Sequence, residues 1–300
     1  MFKKFKRKQE LGYLAIQQGP AGLSSAEIHW RDQHPALTSC TTRDDSASSE
    51  KAWSRFAQSP VPISVVLTMG DYQLIPLDAP AVPPEELKMA VRWQIKDQIE
   101  HHIDDVTVDI VQLDSAASGK LLAVVAHNQL IRQTIQLAER ANVPLAVVDI
   151  PELAQRNLAR LFETPGSTIA LLSITPQGGL LTIVRDGELS FYRRFECSAV
   201  ASGRAVEAGA PEFDKLAQEL GRSLDFIDRQ YANWMIDHLL VSPTVEVPEL
   251  PQLLSEQINL PVSWADLSQV LGNTIPAAPA EMARCWFALG GALRREAVAL

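Results

Sequence analysis

Apolar and polar residues alternate with a period of two through "GYLAIQQGPAGLSSAEIHW" (12–30), broken by the turn residues Gln18-Gly19-Pro20-Ala21-Gly22, which predicts a β-hairpin. The stretch "ALLSITPQGGLLTIVRDGELSFYRR" (169–193) repeats the plan. It reads as a hairpin whose first strand pauses at a polar loop, Ser173 to Gly179, and whose far turn is Asp186-Gly187. That pair suits a type I′ turn, where both central residues need positive φ. The chain therefore carries a weak internal duplication. A further strand pair is expected over 62–78, and "TRDDSASSEKAW" (42–53) is polar enough to predict a surface loop.

From Pro83 the period becomes that of a helix. Pro83 and Pro84 supply fixed φ at its start, and Glu85 and Glu86 meet the positive end of its dipole. Leu87, Val91, Ile95 and Ile99 recur every fourth residue, while Met89 and Trp93, one turn apart, lie off that row, so the helix carries two apolar faces. Strands at 106–112 and 121–126, a helix at 128–141 and a strand at 145–149 complete an α+β unit over 84–150. Helices are expected at 151–163, 211–232, 249–258 and 279–296, and strands at 237–242 and 260–265. On the second of these helices Leu216, Leu220, Leu224, Ile227 and Tyr231 form one stripe, suited to packing on a sheet.

Three hundred residues that are 46% apolar can build one large or two ordinary cores. No apolar run approaches the roughly 18 residues of a membrane span. Lys3, Lys4, Lys6, Arg7 and Lys8, interleaved with Phe2 and Phe5, form a basic tip that no apolar run follows, so it is not a secretory signal. It is either a solvated end or a contact with anionic lipid, where each basic residue contributes about 1 kcal/mol. A net charge of −9 with no other basic stripe argues against nucleic acid as a partner. Cys40, Cys197 and Cys285 are odd in number and far apart, which fits a reducing compartment and indicates neither a disulfide framework nor zinc. No P-loop lysine accompanies "GPAGLSS" (19–25), and no G-x-S-x-G occurs.

The segments "PPEELKMAVRWQIKDQIEHHIDDVTVDIVQLD", "LLAVVAHNQLIRQTIQLAERANVPLAVVDIPELAQRNL", "TIVRDGELSFYRRF" and "LAQELGRSLDFIDRQ" resemble the PilM family of type IV pilus assembly proteins. In size and in the degeneracy described next, the chain is similar to the branch that serves mannose-sensitive haemagglutinin (MSHA) pili. The resemblance implies an α/β, two-lobed actin-like fold, a duplicate of a ribonuclease-H-like unit. Its first lobe would span 11–163 with the insert at 84–150, after the basic segment 1–10. A reduced second lobe would span 164–300, with its C-terminal helix returning to the first. The resemblance further implies a cytoplasmic protein peripheral to the inner membrane, which binds a short cytoplasmic peptide of a PilN-like inner-membrane protein, with the pilus motor ATPase as a further partner.

Relatives of this fold bind ATP through D-x-G at the first turn of each lobe, the acid orienting Mg²⁺ and the glycine admitting backbone N–H groups to the phosphates. The matching residues here are Gln17-Gln18-Gly19 and Ser173-Ile174-Thr175, so both acids are missing. Pro20 and Pro176 each remove an N–H as well. The Gly-Gly run that lies against adenine is replaced by Pro243-Thr244-Val245-Glu246, and only 195–210 stand where relatives have a longer helical wall. The expectation is an adaptor with no catalytic residue, no metal and no cofactor. One alternative is an active actin-like ATP-binding protein of the pilus machine, using ATP and Mg²⁺. Another is a GspL-like component of type II secretion, a family that continues into a membrane span absent from these residues. The partner peptide of similar proteins binds beside the insert, where Met89 and Trp93 would anchor it in a groove; otherwise Trp93 seals the insert against its lobe, as core aromatics do.

Overall fold

The computed structural model describes residues 12–19, 22–31, 34–43, 50–113, 119–197, 200, 207, 209–231, 234–236, 238–245, 247–273 and 278–295. The basic tip with Phe2, Lys3, Lys4, Phe5, Lys6, Arg7 and Lys8 lies outside them, as do Pro20, Ala21 and Glu246.

Each lobe begins with three antiparallel strands. In the first these are β1 (Tyr13–Gly19), β2 (Gly22–Arg31) and β3 (His34–Arg43). After helix α1 (Glu50–Ser54) comes β4 (Ile63–Val66), four buried residues that pair in parallel with β1. The loop expected over 42–53 therefore closes on a helix, whose Ala52 and Trp53 are buried. The sequence reading also missed β3, since "HPALTSCTTR" mixes buried Ala36, Leu37 and Cys40 with Ser and Thr in a pattern that does not alternate cleanly.

The pair expected over 62–78 does not form. β5 (Tyr72–Asp78) leaves the lobe's sheet and joins a separate antiparallel one with β6 (Val106–Leu113) and β7 (Lys120–His127), in the order β5-β7-β6. Helix α2 (Pro84–Ile95) covers that sheet through Val91 and Ile95, which pack with Ile75, Val106, Val108 and Ala123. The insert thus runs from 72 to 127, narrower at its far end than the expected 84–150. Helix α3 (Asn128–Arg140) packs Leu137 and Ala138 against Leu14 and Ile16 of β1, and β8 (Leu145–Asp149) pairs in parallel with β4. Both belong to the first lobe's layers.

Helix α4 (Pro151–Ala159) leads to the second lobe: β9 (Thr168–Thr175), β10 (Gly178–Arg185) and β11 (Glu188–Phe195). The sequence reading took this region for one hairpin with a pausing strand. Its polar loop is a true reversal, with Thr175 paired to Gly178, and the Asp186-Gly187 turn has positive φ at both residues (50° and 78°) as expected. Helix α5 (Pro211–Gln230) packs Phe213, Leu216, Leu220 and Ile227 on the sheet. Then come β12 (Leu239–Val241), α6 (Leu250–Ile258), β13 (Val262–Trp264) and β14 (Gly272–Asn273). The sheet orders make the duplication explicit: β3-β2-β1-β4-β8 in one lobe and β11-β10-β9-β12-β13 in the other, with β14 added beside β3.

The helix expected over 279–296 is split at Cys285 into α7 (Pro279–Arg284) and α8 (Trp286–Ala292). Every residue of α8 is buried, which its all-round apolar sequence requires. It packs on α4 and on β1, β2 and β4 of the first lobe. Gly290 allows the crossing: a Cβ there would sit 2.1 Å from the Ala154 carbonyl oxygen.

Candidate functional site

The first turn of each lobe opens on one cavity of about 330 Å³ between the lobes. Gln17 and Gly19 at the end of β1 and Thr175 at the end of β9 line it, with Thr244 from beyond β12, Thr68 and Met69 from beyond β4, Pro151 of α4, and the Trp286 and Phe287 rings of α8. Of the six residues expected to form degenerate nucleotide loops, four therefore meet here. Ser173 does not. It is fully buried, and its hydroxyl donates to Gln155 Oε1, while Gln155 Nε2 donates to the carbonyls of Leu171 (2.7 Å) and Leu180 (3.0 Å), stitching α4 to the second sheet. Pro243 stands beside Thr244 without lining the cavity.

Thr244 occupies the second turn with its own hydroxyl. Its Oγ1 donates to the Ile174 carbonyl at 2.7 Å and accepts the Ile174 N–H at 3.4 Å. The Ile174 backbone is thus held by a side chain.

Among the described residues the charged lining consists of Arg43 and Arg284, and no carboxylate reaches the cavity wall. Two acids flank Pro151, yet both turn away. Asp149 accepts from Arg294 Nη1 at 2.8 Å and from the Ile150 N–H at 2.9 Å; burial pushes its carboxyl up, and Arg294 opposes that. Glu152 is fully buried and accepts from the Tyr72 hydroxyl and from Arg194 Nε at 2.8 Å. A magnesium-bound triphosphate calls for an anionic oxygen to hold the metal or its waters, with free N–H groups around the phosphates. Among the described residues the two guanidiniums could face phosphate, but the amide, hydroxyls and apolar rings supply no anionic oxygen for the metal, so the lining does not fit the magnesium of that group. Nor does a thiol stand ready as a nucleophile: burial pushes Cys197 up to about 12, and the contact with Cys40, together with burial, pushes Cys285 up. No cluster of three or more metal-binding side chains occurs among the described residues, nor is any described helix long and apolar enough to cross a membrane.

Met89 and Trp93 lie on the outer face of α2, 61% and 66% exposed. The alternative in which Trp93 seals the insert against its lobe is therefore wrong: α2 packs through Val91 and Ile95 on the insert's own sheet, and Arg92 ties it there by donating to the Ile103 carbonyl at 2.7 Å. Neither residue lines a groove between insert and lobe. A groove of about 550 Å³ lies within the first lobe instead, walled by Gln18, Trp53, Leu67, Asp71 and by Leu130, Thr134 and Leu137 of α3. The sequence signal for it was present in the i, i+4, i+7 spacing of those α3 residues, which the reading assigned to the insert.

No protein-family model matches the chain, and no curated protein matches it in sequence. Solved structures do match. The two lobes of like topology around paired central helices define the actin-like α/β fold, and a protein with that fold and of unknown function from Bacteroides thetaiotaomicron matches over 91% of this chain and 96% of its own (13% identity, TM-score 0.50). More specifically, the backbone follows that of a chain of the PilM-PilN type IV pilus biogenesis complex over 95% of this chain and 98% of that one, with 19% identity and a TM-score of 0.73. The cytoplasmic domain of EpsL, an inner membrane component of the type II secretion system of Vibrio cholerae, matches over 91% and 93% (11% identity, TM-score 0.50). At these identities the likeness establishes the fold.

Proposed function

We propose that this chain is a PilM-like adaptor of type IV pilus biogenesis, of the MshI kind that serves MSHA pili, working by contact and without ATP hydrolysis. The observation that carries the reading is the inter-lobe cavity. It keeps the position of a nucleotide site while its described walls hold no carboxylate and its flanking acids are tied to Arg294 and Arg194. The likeness to a chain of the PilM-PilN complex supports the pilus assignment over the type II secretion alternative, whose EpsL match has the lower TM-score.

The partner in this reading is a short peptide of a PilN-like inner-membrane protein. Met89 and Trp93 are its anchors, since an exposed aromatic and thioether pair on a rigid helix is the kind of feature that dominates binding energy. Lys96, with its Nζ 5.5 Å from the Trp93 ring centre, adds a cation at the patch edge. The basic tip would hold the adaptor near anionic lipid, and the motor ATPase would be a second partner.

The test is capture of the partner's cytoplasmic peptide by the purified chain. Trp93→Ala is expected to weaken capture at least tenfold, a hot-spot loss of about 1.4 kcal/mol or more. Because Trp93 seals nothing, its circular dichroism and melting should match wild type. Undiminished capture would contradict the assignment.

A further inference from the structure

The carboxylate of Glu152 brings together three parts of the molecule that are distant in sequence. It sits in the first turn of α4, beside the Pro151 that lines the inter-lobe cavity. Its two side-chain partners come from elsewhere: Tyr72 opens the insert's first strand, and Arg194 lies on the second lobe's edge strand β11. Arg194 also spans 4.6 Å to the centre of the Tyr72 ring and donates through Nη1 to the Met69 carbonyl at 2.5 Å. Its remaining nitrogen, Nη2, is buried with no hydrogen-bond partner among the described residues.

Met69 belongs to the short segment 67–71 between β4 and β5, and this segment borders three spaces. Thr68 and Met69 line the inter-lobe cavity. Gly70 and Asp71 line a pocket of about 370 Å³ between the insert and β11, which Tyr72, Tyr192 and Arg194 also line. Leu67, Thr68 and Asp71 line the groove against α3. The segment is stiffened from within, because Asp71 Oδ2 accepts both the Thr68 N–H (2.7 Å) and the Thr68 hydroxyl (2.8 Å). A movement of the second lobe that shifts Arg194 must pull on Met69 and on Glu152 together.

We propose that Tyr72, Glu152 and Arg194 form a joint that couples the position of the insert to the closure of the inter-lobe cavity, with segment 67–71 as the element both ends displace. A buried ion pair adds little net stability, and the unpaired Nη2 leaves this arrangement incompletely satisfied, as suits a contact that alternates between two states. Tyr72 and Arg194 are positioning residues. The inference stands apart from the adaptor reading, since it concerns only how one part of the chain reports on another.

Hydrogen–deuterium exchange of the full chain in Tyr72→Phe, Arg194→Met and the double variant tests it. The joint predicts crossed effects. Tyr72→Phe, a change in the insert, should speed exchange in 188–195 about tenfold, and Arg194→Met, a change in the second lobe, should do the same in 72–78, as expected for loss of one charge-assisted hydrogen bond. The double variant should exchange no faster than the faster single one, because each change releases the same contact. Faster exchange confined to the altered segment, additive effects in the double variant, or a uniform rise that includes β1 would overturn the proposal. Should Arg194→Met fail to fold, the response of 188–195 to Tyr72→Phe decides alone.

Discussion

At Glu152 a carboxylate with no solvent exposure is shared by a guanidinium and a phenol. Splitting such a group costs far more than replacing it whole. Glu152→Ala is expected to lower unfolding stability in urea by about 3 kcal/mol, while Glu152→Leu combined with Arg194→Met should lower it by less than that single change. The phenols nearby give a pH signature. Burial first, and the charge on Glu152 second, push Tyr72 well above its ordinary range and Tyr192 up to about 12. The folded chain then keeps protons that the unfolded chain loses above pH about 10, so stability falls as pH rises from about 10 toward 12. In an alkaline titration followed at the phenolate absorbance, the full signal of the chain's four tyrosines should appear only as the protein unfolds. Full ionisation with the fold intact would refute the buried placement.

Among the elements, the crossing of α8 on α4 is a demanding contact. Gly290→Ala would force a methyl against the Ala154 carbonyl, and overpacking of this kind costs about 2–3 kcal/mol, to be read as a shift of the urea midpoint. The same crossing marks what a sequence does not disclose. The period of α2, the Pro starts of α2, α4 and α5, and the Asp186-Gly187 turn were readable because each is fixed by local stereochemistry. Sheet membership was not: β4 and β5, strands of four and seven residues, are separated by only a short segment, yet non-local pairing sends one to the lobe and the other to the insert. Likewise the D-x-G positions Gln17 and Gly19 could be located by spacing, and they do reach the cavity. The fate of Asp149 and Glu152 could not, because their partners Arg294, Arg194 and Tyr72 lie up to 145 residues away.

For the whole molecule, the duplicated sheets set two tight turns on one cavity, and the departures in both turns act in the same direction. Thr244 takes up the Ile174 backbone, Gln17 offers an amide where the resemblance implies an acid, and Arg194 of β11 is paired with Glu152 of α4. In the proposed reading a molecule so arranged keeps its shape without a bound triphosphate and offers the exposed Met89 and Trp93 of α2 to a partner. Calorimetric titration of the full chain with Mg-ATP tests this most directly. The account predicts no saturable heat up to about 1 mM nucleotide. Saturable, magnesium-dependent binding in the micromolar range would contradict it.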